Sequence, residues 1–285
     1  MVEIKEMGSG VVLYAVEGAT LAGADLRDLN LTKADLRQQD LSRCNLSSAI
    51  LDDADLSGAK LHGANLQRAS MQRCKLDGAN LSKALLGHQN SAAAANLSQA
   101  SLIGAQMIGT DLQNVNLAGA DLSDADLSQA EMSRALLGAA TLKRTTLCDA
   151  KMVEVDLQGA DLSDADLCGV RLNFANLNGA NLSHALFSGE ETQQPAILTR
   201  AKLQQCNLSG ANLSRTTLQT ADLSRANLRQ ANLSYARMSG ANLRSANVES
   251  ANFAGVGLDT ATLDFANFSL ALNANIPSSK QANLR

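Results

Sequence analysis

The chain is 285 residues long with 2% aromatic residues and no Trp, a poor supply of the large side chains that fill a conventional globular core. Its net charge of -4 at pH 7 is modest, so the distribution of charge says more than the total. Five cysteines, an odd number, argue for a reducing compartment rather than a disulfide framework.

Residues 1–18 hold the six-residue apolar run "VVLYAV", with Glu3 and Glu6 before it. That run is too short and its flank too acidic for a secretory signal or a membrane span. The expectation is a cytoplasmic protein with no membrane contact. Residues 1–18 are expected to be an N-terminal cap in which "VVLYAV" covers the open end of the repeat array that starts at Leu21.

From Leu21 a large apolar residue recurs at every fifth position, in runs from Leu21 to Leu86, Leu97 to Phe187 and Leu198 to Phe268. These runs hold 48 centres, of which 39 are Leu, and Ala stands two residues earlier in 36. The unit is A-(D/N)-L-x-x. On a helix, five steps of about 100° rotate the Leu by roughly 140° and leave no stripe. In an unbroken strand an odd repeat throws alternate Leu onto opposite faces. A short extended piece fits, with Ala and Leu inward and Asp or Asn outward between them. A turn comes after it in every unit, built from the Ser, Gly, Asp and Asn of the last two places. Parallel coils stacked at about 4.8 Å then close into a solenoid.

Stretches such as "ADLSDADLSQA" (120–130), "ANLNGANLSHA" (175–185) and "ADLSRANLRQANLSYA" (221–236) resemble the pentapeptide repeat proteins, and the resemblance covers roughly residues 19–270. It implies an all-β fold: a right-handed quadrilateral parallel β-helix with four units per coil and about 12 coils. Residues 271–285 come next as a C-terminal cap or tail. Some members of that family resemble a DNA duplex in width and surface charge. They bind the DNA-handling surface of type II topoisomerases and protect gyrase from quinolones or other poisons. The resemblance therefore names DNA gyrase or topoisomerase IV as an alternative partner for what is read as a protein-binding solenoid. A structural scaffold or spacer is a third reading. The central Phe frequent in gyrase-protecting members is here almost always Leu.

The rhythm breaks twice, at 87–96 and 188–197, and each break separates its two flanking centres by two units plus one residue. Each is either a six-residue bulge that replaces one unit or a six-residue loop ejected between adjacent units. Leu85 and Leu186 stand just before them, where Asp or Asn normally points outward. With His88, Glu190 and Glu191 they are candidate partner contacts, although the preferred reading has each Leu covered by its own loop.

Cys44, Cys74 and Cys206 replace the inward Ala and read as packing residues. Cys148 and Cys168, four units apart, are expected to point outward, one above the other and within disulfide reach. His62, His88 and His184 converge with no nucleophile and carboxylate, and neither a phosphate-binding Gly loop nor zinc-ligand spacing occurs. No enzyme, cofactor or metal is expected.

Residues 111–166 contain 11 acidic against 4 basic residues, and residues 197–285 contain 4 against 9. Asp121, Asp124, Asp126, Asp161, Asp164 and Asp166 are the acidic candidates for partner contact. Direct nucleic-acid binding by the basic segment is disfavoured, because the aromatic platforms that single strands need are scarce. Leu270, Leu272 and Ile276 near the C-terminus are expected to cap the last coil, with homodimerisation through that end as the alternative.

Overall fold

The computed structural model describes residues 1–188 and 194–284. They fall into two compact units, Met1–Thr145 and Thr146–Arg285. Each is a four-sided parallel β-helix, in which a residue bridges in parallel to its counterpart four repeats later. Asp25, Asn45 and Asn65 form one such column in the first unit, and Asn207, Asn227 and Asn247 one in the second.

One repeat shows why the motif has its spelling. In Ala79–Lys83 the Ala79 N–H closes the preceding turn on Leu76 O at 2.9 Å, Asn80 N–H reaches back one coil to Ala59 O at 2.9 Å, and Leu81 N–H reaches forward to Gln106 O at 2.7 Å. Lys83 N–H reaches forward to Ile108 O at 3.0 Å. The remaining donor, Ser82 N–H, is satisfied by the Asn80 side-chain Oδ1 at 3.0 Å. Every backbone N–H of the repeat therefore has a partner, as a narrow solenoid requires. The Asp or Asn before each Leu is there to accept that last bond, in the manner of an Asx turn. The final residue of the repeat takes a left-handed conformation, φ 58° at Lys83, and turns the chain onto the next face. The repeated Leu and nearly all the Ala two residues before them are buried in the interior.

Neither interruption replaces a unit: each adds six positions between adjacent faces of the coil. In the first unit Asn65 bridges to Leu85 at the ordinary spacing of four repeats, Ser70 skips six positions further to reach Asn96, and the ordinary spacing is restored from Asn96↔Asn116 onward. In the second unit Asp166 bridges to Leu186 and Arg171 to Ile197 in the same way. Leu86, Leu97, Phe187 and Leu198 all stay in the core, because the added positions fall between adjacent faces of the coil.

The N-terminal residues form β1 (Val2–Glu6) and β2 (Val12–Val16), an antiparallel hairpin whose first strand also pairs with β3 (Ala34–Asp35) in the first coils. The expected role of "VVLYAV" is corrected here: Val11, Val12 and Tyr14 are exposed, and Ile4 of β1 is the buried side chain. Only the strand next to the coil can turn a side chain onto it. At the other end, Phe265 N–H donates to Asn283 O at 2.7 Å, Asn283 Nδ2 to Asp264 Oδ1 at 2.9 Å, and Lys280 Nζ to Ala261 O. The tail thus bonds to the last coil while Leu270 and Leu272 stay exposed.

Candidate partner-binding surface

In the first unit Asp121 stands in a column with Lys75, Ser101 and Thr141, and Asp126 stands one face on, in a column with Asn80 and Gln106. Asp124, φ 59°, turns the corner between them. Asp121 accepts from Ser123 N–H at 3.0 Å and Ser123 Oγ at 2.6 Å, and Asp126 from Ser128 N–H at 2.9 Å and Ser128 Oγ at 2.6 Å. Asp124 is paired with Arg144 at 2.7 Å, and the Arg144 guanidinium holds its carboxyl below the usual range. Leu85 occupies the third face and bridges to Asp111.

Leu85 is 44% exposed and Leu186 46%, so neither is covered by its own loop, contrary to the preferred reading. The first loop explains this, because it is held against the coils on either side. Gly87 N–H donates to Asp111 O at 2.8 Å and His88 N–H to Gln113 O at 3.1 Å. Asn114 Nδ2 donates to His88 O at 2.8 Å, and Gln67 Nε2 to Gly87 O at 2.8 Å. A 3-10 turn, Ser91–Ala93, is capped by the Asn90 side chain and buries Ala93. His88 is exposed, and its Nδ1 accepts from Asn90 N–H at 3.0 Å.

In the first unit Asp121, Asp124, Asp126 and Leu85 do not form one tight cluster; they wrap around three faces. Two residues that the motif did not single out fill the gaps. Ile103 and Ile108 are 41% and 40% exposed, and they come directly after the centres Leu102 and Met107, one coil before Asp121 and Asp126. Their signal is local: a large aliphatic residue in the place after the central apolar residue, where a small or polar one is usual.

In the second unit Asp161 accepts from Ser163 N–H at 3.1 Å and Asn181 Nδ2 at 3.0 Å, and Asp166 accepts from Cys168 N–H at 3.1 Å. Leu186 bridges directly to Asp166, and Asp164, φ 59°, sits at the corner between Asp161 and Asp166. Glu190 and Glu191 lie outside the described residues.

Cys168, expected to point outward, is buried, and Cys148 is half-buried. The register Asp166↔Leu186 puts Ser188, itself buried, one coil beyond Cys168, so the start of the second loop helps close over the thiol. Burial, with Asp166 beside it, pushes that thiol up to about 12. All five cysteines are thiols. Among the described residues no group of three or more His, Cys, Asp or Glu is placed to hold a metal ion, and no helix is long and apolar enough to cross a membrane.

The family model of pentapeptide repeats matches the chain in 8 copies, at residues 16–47, 49–87, 93–129, 130–169, 150–189, 196–234, 221–258 and 236–272. Among solved structures, the chain is similar to HetL, a pentapeptide repeat protein involved in heterocyst differentiation regulation from the cyanobacterium Nostoc. Identity is 31% over 87% of this chain and 90% of HetL, with a TM-score of 0.37. Rfr23, a pentapeptide repeat protein from the cyanobacterium Cyanothece, is 33% identical over 37% of this chain and 60% of its own, at a TM-score of 0.26. QnrB1, a plasmid-mediated fluoroquinolone resistance protein, is 17% identical over 83% of this chain and 87% of its own, at a TM-score of 0.20. No curated protein matches.

Proposed function

This chain belongs to the pentapeptide repeat family, and from that premise we propose that it acts without catalysis, as a cytoplasmic solenoid that binds another protein. The observation that carries the reading is that, where the place before the Leu supplies a turn acceptor, the fold is indifferent to its charge. Asn80 supplies the bond as Asp121 does, at 3.0 Å in both. Between residues 111 and 166 the chain nonetheless chooses Asp repeatedly, and it places Ile103, Ile108 and Leu85 beside those carboxylates where the repeat has no use for exposed aliphatic side chains. An acidic surface with apolar points suits a basic protein partner with apolar contacts of its own.

The same indifference gives the test. The variant D121N/D126N/D161N/D166N keeps every turn acceptor and removes four charges, so its melting temperature should stay with the wild type while partner capture falls. Capture unchanged in that variant and in L85D/I103D/I108D would sink the reading.

A second reading, a DNA-shaped competitor that binds gyrase or topoisomerase IV, draws on the same acidic segment. It predicts that micromolar protein inhibits supercoiling by purified gyrase or protects it from a quinolone, and that the four-Asn variant does neither. No effect of the wild type in either assay removes the topoisomerase and leaves the general reading standing.

A further inference from the structure

The second unit carries a concavity of about 740 Å³ whose lining includes Arg225, Arg244, Asp222, Gln204, Asn242 and Phe265. Arg225 N–H donates to Arg244 O at 2.9 Å, so successive coils bring the two residues side by side. Three other outward Arg pair with a carboxylate one coil away: Arg73 with Asp53 at 2.8 Å, Arg144 with Asp124 at 2.7 Å, Arg229 with Glu249 at 3.2 Å.

In the concavity the nearby carboxylates accept from neutral donors instead. Asp222 accepts from Gln204 Nε2 at 2.6 Å, Asn242 Nδ2 at 2.9 Å and Ser224 N–H at 3.0 Å. Asp264, one coil beyond Arg244, accepts from Asn283 Nδ2 at 2.9 Å. Among the described residues neither Arg225 nor Arg244 has an ion pair. Arg244 instead lies over the Phe265 ring, 5.7 Å from its centre, which restrains a side chain that would otherwise sweep freely.

Arg225 and Arg244 bring two positive charges to a concavity whose lining holds one carboxylate, Asp222, so an added anion is attracted there. A guanidinium fork matches the oxygens of a phosphate or carboxylate, and two forks can share the three free oxygens of a phosphate monoester where a carboxylate offers only two. We propose that this concavity binds the phosphate group of a small phosphate ester, with Arg225 and Arg244 as its anion ligands and Phe265 as the platform that positions Arg244.

Isothermal titration of the full chain with phenyl phosphate tests this, with inorganic phosphate and benzoate as parallel probes. Saturable binding of phenyl phosphate, weakened about tenfold or more by R225Q and by R244Q, is expected. R237Q, on a different face and exposed, should leave it unchanged. Inorganic phosphate should show the same dependence on the two arginines, since the phosphate is the recognised group, and benzoate should bind about tenfold more weakly or worse. Melting curves of the variants, which change only side chains at the surface, should match the wild type. The assignment is overturned if phenyl phosphate does not saturate, or if R237Q costs as much as R225Q. It is equally overturned if only a single-stranded oligonucleotide binds, with the loss spread over Arg200, Arg215 and Arg237, which would describe a diffuse basic surface.

Discussion

The last place of most repeats is left-handed, and the side chain that stands there sets a local cost. For an ordinary L-residue the left-handed region costs roughly 1–2 kcal/mol, least for Asn and Asp, whose short polar side chains bond locally. Thr220 is the unfavourable case, a β-branched residue at φ 54°. Thr220→Asn is therefore expected to stabilise the protein by about 1 kcal/mol, read as a higher denaturation midpoint with an unchanged slope. A loss of stability would mean that the Thr220 methyl, which packs toward Gly240, matters more than the backbone. The inward cysteines allow a second residue-level expectation. Burial pushes the Cys44 thiol up to about 11 and raises Cys74 and Cys206 further. At pH 8 a thiol reagent should reach these three only as fast as the protein unfolds, with rates that climb in denaturant. Prompt labelling of Cys74 or Cys206 in buffer would contradict their packing.

At the scale of the element, the loop at 87–96 is a built feature, and Gly87 is where it is tightest. A methyl group there would fall on Gln113 N and Asp111 Oδ1 and lie 2.9 Å from Gln113 O. The backbone atoms cannot step aside. Gly87→Ala is expected to cost about 1–3 kcal/mol as an overpacking change and to speed proteolysis near His88; a denaturation midpoint equal to the wild type would refute the close approach. The repeat was legible in the sequence because each unit is a local rule: its inward pair, its turn acceptor and its turn are set by the residues it contains. The course of the interruptions was not legible, since a gap of two units plus one residue suits a bulge or an ejected loop equally. The choice rests on the long-spaced bridge Ser70↔Asn96, a contact between coils. The exposure of Leu85 and the burial of Cys168 escaped for the same reason, since each depends on where a loop lies. The apolar look of "VVLYAV" misled because β2 is the outer strand of its hairpin, and only pairing could reveal that Ile4 faces the coil.

At the scale of the molecule, many of the described surface carboxylates are tied into short-range bonds, and this decides how it responds to acid. Arg37 beside Asp35, Arg73 beside Asp53 and Arg144 beside Asp124 hold those carboxyls below their ordinary range, and the Ser42 hydroxyl and N–H do the same for Asp40. At Asp222 burial opposes ionisation, but bonds from Ser224, Gln204 and Asn242 outweigh it and the net shift is again downward. A carboxyl with a depressed folded pKa contributes stability that is fully present above its unfolded value, about 3.9 for Asp, and is lost as pH falls through the lower folded value. Since the cited shifts all run downward, the melting temperature should hold level from pH 7 to about pH 5 and decline only below about pH 4. The pairs are exposed, so salt at neutral pH should move it little. Asp40→Asn, which keeps an acceptor for Ser42 and removes the titrating group, should shallow the acid limb while leaving neutral stability nearly intact. A decline that begins above pH 5 would require a carboxylate or histidine shifted the other way, and a limb unchanged in Asp40→Asn would mean that acid acts elsewhere than on these turn-capping carboxylates.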